Sequence, residues 1–262
     1  MKTPVNKHEI RVIGMSRSGN HCLINWIMAQ AEGRICFLNC AEGKTNPFHS
    51  ARPLETGRSY RVNYAGFDLA AERRGAFSAK DYLIHSYEDA FLGGVCGGAF
   101  EADHDRHVGA SARRLDVLVL RDPFNLFASR RRMGFDDRAT VAGRIWKQHA
   151  REFLGAGRHL TRAGLPVSYN EWVGSRAYRR RLAERLGLAF TDAGIDSVPR
   201  CAGGSSFDGV AFDGRARQMA VFERWRSAAD DPRYRALFDP EMVRLAERIF
   251  GAMPGAGRLL AA

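Results

Sequence analysis

Residues 10–21 read Ile-Arg-Val-Ile-Gly-Met-Ser-Arg-Ser-Gly-Asn-His, and this stretch decides the fold class. The apolar run from Ile10 to Met15 predicts a buried strand, and the apolar spacing of residues 20–30 predicts a helix. A strand, a tight loop and a helix in this order are typical of an α/β protein with a parallel sheet. The small loop residues let several backbone N–H groups point inward, next to the positive end of the helix. The loop is therefore a candidate phosphate site.

The same loop carries half of the pattern of a nucleotide-hydrolysing (Walker A) loop. Gly14 and Gly19 have its glycine spacing, but Asn20 and His21 stand where that loop needs Lys for the phosphates and Ser or Thr for magnesium. Metal-dependent phosphoryl transfer is therefore not expected. The alternative to a phosphate site is a tight turn that binds nothing.

A second candidate site follows the clearest strand of the sequence. Residues 115–120, LDVLVL, are apolar almost throughout and lead directly into Arg121-Asp122-Pro123. Asp122 is expected to cap a helix, with Pro123 in its first turn. Arg121 and Ser129 then lie at the carboxyl end of a strand, where α/β sheets bind ligands, and both can donate hydrogen bonds to a phosphate. A capped helix with exposed arginines is the alternative.

Strands and helices alternate along the rest of the chain. Further strands are predicted at residues 35–38, 82–85 and 166–169. Helices are predicted at residues 123–132, 139–154, 175–186, 215–228 and 240–250. Residues 39–59 read as a loop or lid, and residues 93–114 as a Gly-rich, charged and irregular segment. We expect one α/β domain over residues 1–262, with a mainly parallel central sheet flanked by helices.

The charge balance predicts an anionic partner. Lys and Arg number 40 against 29 Asp and Glu, which gives a formal net charge of +11. Only five of the 40 basic residues are lysine, so 35 are arginine, whose rigid fork suits phosphate and sulfate oxygens. A GC-rich genome would also favour arginine, so the charge by itself does not select the partner. The composition excludes a disordered tail, a collagen-like fibre and a coiled coil.

The cysteines and the N-terminus predict a reduced, cytoplasmic protein. An odd number of cysteines without a C-x-x-C pair fits neither a disulfide framework nor a zinc knuckle; they are Cys22, Cys36, Cys40, Cys96 and Cys201. His104 and His107 lie in a charged segment that resembles a metal site only superficially, so no metal is expected. The first residues lack the apolar stretch of a signal peptide, and no run is long enough to cross a bilayer.

Taken together, the two motifs resemble those of bacterial-type sulfotransferases that use 3′-phosphoadenylyl sulfate (PAPS). Residues 17–21 are similar to the 5′-phosphosulfate loop of that family, and residues 119–130 to its 3′-phosphate motif. The resemblance implies a P-loop-like α/β fold, PAPS as the donor and 3′,5′-ADP (PAP) as the product. It also implies a donor site formed by Arg17, Ser18, Gly19, Asn20, His21, Arg121 and Ser129.

Three weaker similarities follow in the order of the family. Residues 166–172 resemble the strand whose tyrosine contacts the adenine, which implies that role for Tyr169; a core tyrosine is the alternative. Residues 203–207 stand where the family has a second 3′-phosphate loop, so Ser205 and Ser206 are candidates for it. Residues 224–251 resemble the closing helices. The resemblance thus extends over most of residues 9–251.

The resemblance also implies catalytic roles. Sulfuryl transfer to a hydroxyl or an amine is an in-line displacement that needs a base and a cation for the developing charge. Arg17 takes the position of the family's catalytic lysine and is expected to act electrostatically, because arginine is a very poor proton donor. His85 is the first candidate for the base and Glu88 the second. A structural, hydrogen-bonded histidine is the alternative for His85.

The acceptor is not identified by the sequence. We expect a small molecule, a glycan or a lipid, held by the variable segments 39–64, 93–114 and 132–138. A kinase of the P-loop type or an inactive relative of the sulfotransferases is an alternative function. A nucleic-acid-binding protein is less favoured, because the arginines are scattered and two separate phosphate motifs fit one nucleotide.

Overall fold

A central sheet runs through the computed structural model, which describes residues 3–137, 141–160, 162–253 and 255–260. The six strands of this described part are β1 (Asn6–Gly14), β2 (Ile35–Leu38), β3 (Tyr60–Val62), β4 (Lys80–Glu88), β5 (Ser111–Leu120) and β6 (Ala163–Ser168). Their order across the sheet is β3-β2-β4-β1-β5-β6. The edge strand β3 is antiparallel to β2, and the other neighbouring pairs are parallel. The predicted α/β fold with a mainly parallel sheet is confirmed.

Helices cover both faces of the sheet. In the described residues they are α1 (Asn20–Met28), α2 (Pro47–Ser50), α3 (Leu69–Arg73), α4 (Leu92–Val95), α5 (Gly98–His107), α6 (Pro123–Arg132), α7 (Ala142–Phe153), α8 (Tyr169–Gly174), α9 (Arg176–Leu186), α10 (Pro232–Arg235), α11 (Pro240–Phe250) and α12 (Ala256–Leu260). The predicted cap of α6 is confirmed, because the Asp122 carboxylate accepts a hydrogen bond from the Asn125 N–H at 2.8 Å. The helix predicted at residues 139–154 is observed as α7. Residues 138–140, which include the predicted start of that helix, lie outside the described residues.

The first strand is longer than its apolar run predicts. It begins at Asn6, and Glu9 and Arg11 within it are fully buried. Arg11 donates hydrogen bonds of 2.8 Å from Nε and Nη2 to the two carboxylate oxygens of Asp116 on the neighbouring strand. The part missed by the prediction, residues 6–9, has only polar side chains, and its buried Glu9 is paired with Arg162 at 2.7 Å. Hydropathy therefore does not reveal the first half of the strand.

Two segments differ from their predictions. Residues 93–114, expected to be irregular, contain α5, whose Phe100 and His104 are buried one turn apart on the same face. Residues 215–228, expected to be one helix, form only two short 3₁₀ turns, 216–218 and 224–228.

Long-range hydrogen bonds explain the missing helix. The Val221 carbonyl accepts from Arg121 at 2.8 Å, and the Trp225 N–H donates to Asn125 at 3.2 Å. In an α-helix that carbonyl and that N–H would bond to each other. Since both are engaged by residues about 100 positions away in the chain, the segment keeps an extended break at Met219.

The carboxyl ends of the strands meet at one edge of the sheet. Gly14, the last residue of β1, is in register with Glu88 on β4 and with Val119 on β5. Leu120 on β5 is in register with Ser168 on β6. The loops that follow these strands are therefore neighbours, although they are far apart in the sequence. No helix in the described residues is long and apolar enough to span a membrane.

Candidate active site

The loop between β1 and α1 presents backbone N–H groups at the carboxyl edge of the sheet. Gly19 is the N-cap of α1 and makes no side-chain capping bond. Its φ is 91°, and a Cβ there would lie 2.2 Å from the Tyr169 ring, so only glycine fits. Arg17 also has a left-handed backbone, with φ 74°. The uncapped helix start favours an anionic ligand.

A cleft opens above this loop, with about 550 Å³ of empty space that is partly open to solvent. Eight of the candidate site residues predicted from the sequence line it: Arg17, Gly19, Asn20, His21, Glu88, Arg121, Tyr169 and Ser205. Ser18 is buried beneath the loop. Ser129 and Ser206 reach the site through the arginines that they contact.

Arg121 lies at the base of the cleft, held by three acceptors. Its Nη1 donates to the Arg17 carbonyl at 3.1 Å and to the Ser129 hydroxyl at 3.2 Å, and its Nη2 donates to the Val221 carbonyl at 2.8 Å. The guanidinium lies 5.0 Å from the centre of the Tyr169 ring. Its buried Nε has no acceptor among the described residues. The position of the guanidinium is thus fixed, while one donor is left for a ligand.

Arg224 is a site residue that the sequence did not identify as one. Its Nη1 donates to the Ser129 hydroxyl at 3.4 Å, and its Nη2 donates to the Ser205 hydroxyl at 2.9 Å and to the Asp208 carboxylate at 3.3 Å. Arg224 and Ser129 are 95 positions apart in the chain. No local motif marks this arginine, because only the break after Val221 brings it to the cleft.

Three arginines therefore converge on one cleft. Burial, together with the charge of Arg121, lowers the pKa of Arg17 below its ordinary value. Burial and the same neighbouring charge lower the pKa of Arg224 to about 10. Asp208 pairs with Arg224, and the charge of Glu88 acts on Arg17 in the opposite direction to that of Arg121. Like charges so arranged destabilise one another unless an anion binds between them.

Arg17 connects the loop between β1 and α1 to residues 203–209. Its Nε donates to the Ser206 hydroxyl at 2.7 Å, and its Nη2 donates to the Gly204 carbonyl at 2.6 Å. Backbone bonds between Ser205 and Gly209 close residues 205–209 into a tight turn. The segment that the sequence analysis considered as a second phosphate loop thus lies across the cleft from the first.

Glu88 is the carboxylate that lines the cleft. Its Oε1 accepts from the Asn20 amide at 2.8 Å, and its Oε2 accepts from the Ser16 hydroxyl at 2.9 Å. The Nδ1 of His21 lies 4.0 Å from Oε1, and the Nε2 of His21 contacts the Asn39 amide oxygen at 2.7 Å. These bonds fix the carboxylate beside the start of α1.

The structure places His85 outside the cleft, which corrects the expectation that it faces the substrate. His85 is fully buried, with its Nε2 3.1 Å from Glu9 and its Nδ1 3.1 Å from the Tyr87 hydroxyl. Side chains alternate between the two faces of a strand. Since Glu88 lies on the α1 side of β4, His85, three residues earlier, faces α5 instead.

A narrow side chamber, with about 20 Å³ of space for water-sized molecules, adjoins the cleft. Cys22, Tyr169 and Met219 line both spaces. The remaining lining of the side chamber is mostly apolar and includes Trp172, Val173, Ile195 and Val221. Among the described residues, no group of three or more His, Cys, Asp or Glu side chains is placed to hold a metal ion.

Comparison with known proteins assigns the fold. No family model matches the sequence, and no curated protein gives a significant match. A sulfotransferase domain from the curacin biosynthetic pathway has a TM-score of 0.51 at 12% identity, over 97% of this chain and 100% of that one. The sulfotransferase domain of the Synechococcus PCC 7002 olefin synthase has a TM-score of 0.49 at 17% identity, over 95% of both chains. For a mouse sulfotransferase complexed with PAP, the TM-score is 0.42 at 12% identity, over 98% of this chain and 90% of that one. On the likeness to the curacin domain, this chain has the fold of sulfotransferase domains.

Proposed function

We propose that this protein is a sulfotransferase that moves a sulfuryl group from PAPS to a hydroxyl or an amine, as a single catalytic domain. The observation that carries the proposal is the convergence of Arg17, Arg121 and Arg224 on one cleft, where Asp208 pairs with Arg224 alone. A nucleotide with anionic groups at both ends of its ribose supplies the charge that this cluster requires. The fold supports the same conclusion.

In this proposal the nucleotide occupies the cleft. Arg121, Ser129 and Arg224 bind the 3′-phosphate, since their donors meet at the Ser129 hydroxyl. The N–H groups at the start of α1 bind the 5′ end. The base lies beside Tyr169, which lines the same cleft. Ser205 and Ser206, which already contact Arg224 and Arg17, complete the binding site.

Glu88 rather than His85 is the base in this mechanism. The Glu88 carboxylate takes the proton of the acceptor as the new bond to sulfur forms and the bond from sulfur to the bridging phosphate oxygen breaks. Arg17 stabilises the charge that develops on that oxygen. Asn20 and Ser16 hold the carboxylate in place during the transfer. The acceptor itself is left open, as a small molecule, a glycan or a lipid.

Nucleotide binding tests the donor site directly. Calorimetry with PAP, without magnesium, is expected to give specific binding that Arg121→Ala weakens by about a hundredfold, the loss of charge-assisted hydrogen bonds to one phosphate. Arg132→Ala is the matched control, because it removes a cation from the exposed side of α6. Preference for magnesium-ATP over PAP would contradict the proposal and favour the kinase alternative.

An assay of sulfuryl transfer tests the proposed reaction. Incubation with PAPS carrying labelled sulfate and a panel of phenols, glycans and lipids is expected to yield a labelled product and PAP in equal amounts. Binding of PAP without transfer to any member of a broad panel would instead favour the inactive relative.

A further inference from the structure

Arg130, near the end of α6, is buried against the loop between β1 and α1. Its side chain is 5% exposed, and the centre of the Phe135 ring lies 4.4 Å from its guanidinium. Its Nε and Nη2 donate to the Asp137 carboxylate at 2.8–2.9 Å. Its Nη1 donates to Asp89 Oδ1 at 2.6 Å and to the Ser16 carbonyl at 3.2 Å. One guanidinium therefore joins the segments that follow β1, β4 and α6.

Stability alone does not account for this buried cation. Taking a guanidinium and its carboxylates out of water is costly, and apolar side chains of similar size are often at least as stable in such a place. The planar guanidinium adds fixed geometry instead, because each of its donors is directed at one acceptor. The contacts of Nη1 are the informative ones, since Ser16 contacts the candidate base Glu88 and Asp89 follows it in the chain.

The ion pair of Arg130 and Asp89 holds Ser16 at both of its backbone groups. The Ser16 N–H donates to Asp89 Oδ1 at 3.1 Å, and the Ser16 carbonyl accepts from Arg130 Nη1 at 3.2 Å. The same Asp89 oxygen accepts from Nη1, so these contacts form one closed network. With its backbone held in this way, Ser16 donates its hydroxyl to Glu88 Oε2 at 2.9 Å.

Asp89 has a backbone conformation that is unfavourable for its residue type. Its φ is 53°, in the left-handed region, which glycine adopts at lower cost. Its N–H donates to the Gly14 carbonyl at 3.2 Å, which fixes the chain directly after Glu88. What an aspartate adds at this point, and a glycine would not, is the carboxylate that contacts Arg130 and Ser16.

We propose that Arg130 is a positioning residue for sulfuryl transfer, which sets the orientation of the Glu88 carboxylate through Asp89 and Ser16. The inference rests on the proposed function and deepens it, since it names the group that keeps the base in place. Arg130 itself exchanges no proton with the substrates. A displacement of the base by about 1 Å costs up to about a hundredfold in rate. Arg130 therefore acts on turnover more than on the binding of PAP.

A double-mutant cycle in the rate of sulfuryl transfer tests the inference. Arg130→Lys keeps the positive charge but removes the planar fork that reaches Asp89 and Asp137 together. Ser16→Ala removes the hydroxyl that contacts Glu88. With labelled PAPS and the panel of phenols, glycans and lipids, each substitution is expected to lower kcat by about tenfold. The double variant is expected to be no slower than the slower single variant, because both changes break the same link.

The affinity for PAP separates positioning from a merely structural role. Calorimetry is expected to show a change in Kd of less than about threefold for Arg130→Lys, because a group that orients the base acts on kcat. Arg131→Lys is the matched control, since its side chain is 45% exposed on the same helix, and it is expected to change neither kcat nor Kd. An equal loss of kcat and PAP affinity in Arg130→Lys would overturn the inference. Independent, multiplying effects of Arg130→Lys and Ser16→Ala would overturn it as well.

Crystal structures give a second readout that needs no acceptor. In the unaltered protein, Glu88 is expected to have one side-chain conformation, in contact with Ser16 and Asn20. In Arg130→Lys, Glu88 is expected to lose its contact with Ser16. An unchanged Glu88 in the variant would overturn the inference while leaving the proposed function intact. Failure of the unaltered protein to bind PAP, or to transfer sulfate to any acceptor, would instead overturn the proposed function, and the inference with it.

Discussion

The carboxylate of Asp208 lies 3.3 Å from the guanidinium of Arg224 and accepts its hydrogen bond. The Ser205 hydroxyl joins the pair, since it accepts from Arg224 at 2.9 Å and donates to Asp208 at 2.8 Å. Asp208 contacts the Nη2 of Arg224, while Ser129 contacts its Nη1. Under the proposed function, the negative charge of Asp208 therefore opposes a phosphate bound by the same arginine. An internal carboxylate and the ligand compete for the same cation.

Replacing Asp208 by Asn is expected to tighten PAP binding about fivefold, because one negative charge close to the bound phosphate is removed. Calorimetry at a fixed, low salt concentration measures the change. Glu184→Gln, on the exposed side of α9, removes the same charge and serves as the control. Unchanged or weaker binding by Asp208→Asn would show that Asp208 does not compete with the phosphate.

The Ser129 hydroxyl accepts from both Arg121 and Arg224, so Ser129→Ala is expected to weaken PAP binding about tenfold. The affinity for 5′-AMP, which lacks the 3′-phosphate, is expected to stay the same. Titration of both nucleotides into both proteins gives the comparison. An equal loss of affinity for PAP and 5′-AMP would mean that Ser129 supports the fold of the cleft and not the 3′-phosphate site.

Glu88→Gln is expected to lower the rate of sulfuryl transfer by about a hundredfold to ten-thousandfold, the usual contribution of a general base. The amide keeps the shape of the side chain and the contact with Asn20. PAP affinity, measured in parallel, is expected not to fall, because the substitution removes a negative charge from the lining of the cleft.

His85→Gln is expected to act on stability instead of turnover. The substitution disturbs the buried contacts with Glu9 and Tyr87, which costs about 1–3 kcal/mol in the free energy of unfolding. Urea unfolding measures that loss, and turnover per folded molecule is expected to be unchanged. If the folded His85→Gln protein lost its turnover while Glu88→Gln remained active, the base would be His85 after all.

The buried pair of His104 and Glu9 predicts a pH dependence of stability. Burial acts to lower the pKa of His104, but the hydrogen bond and charge of Glu9, 2.7 Å away, outweigh it and raise that pKa. A raised histidine pKa stabilises the fold below about pH 6.5, and this contribution is lost as the pH rises through the folded value. His104→Gln is therefore expected to destabilise the protein more at about pH 5.5 than at about pH 8.5. Urea unfolding at both pH values measures the free energy of unfolding that the substitution removes. An equal loss of stability at the two pH values would contradict the prediction.

The sequence was sufficient to predict the elements whose structure depends on residues close together in the chain. The strand, loop and helix of residues 10–30 and the capped start of α6 follow from local periodicity and turn chemistry, and the structure has both. Gly19 and Arg121 could be singled out because a phosphate loop and a strand-to-helix junction are short, ordered patterns. Local patterns failed for residues 215–228, where hydrogen bonds from distant residues override the apolar spacing.

By itself the sequence thus determined the α/β class, the candidate phosphate loop and the junction at Arg121, because each is encoded within about a dozen consecutive residues. Only the tertiary structure decided which side chains share the cleft. It turned His85 toward α5 and left Glu88 beside α1, since alternation along β4 assigns them to opposite faces. It also brought Arg224 to Ser129 across 95 positions of chain. The physical reason is that a side chain's face and its distant partners depend on how strands and loops pack together, and hydropathy along the chain does not encode that arrangement.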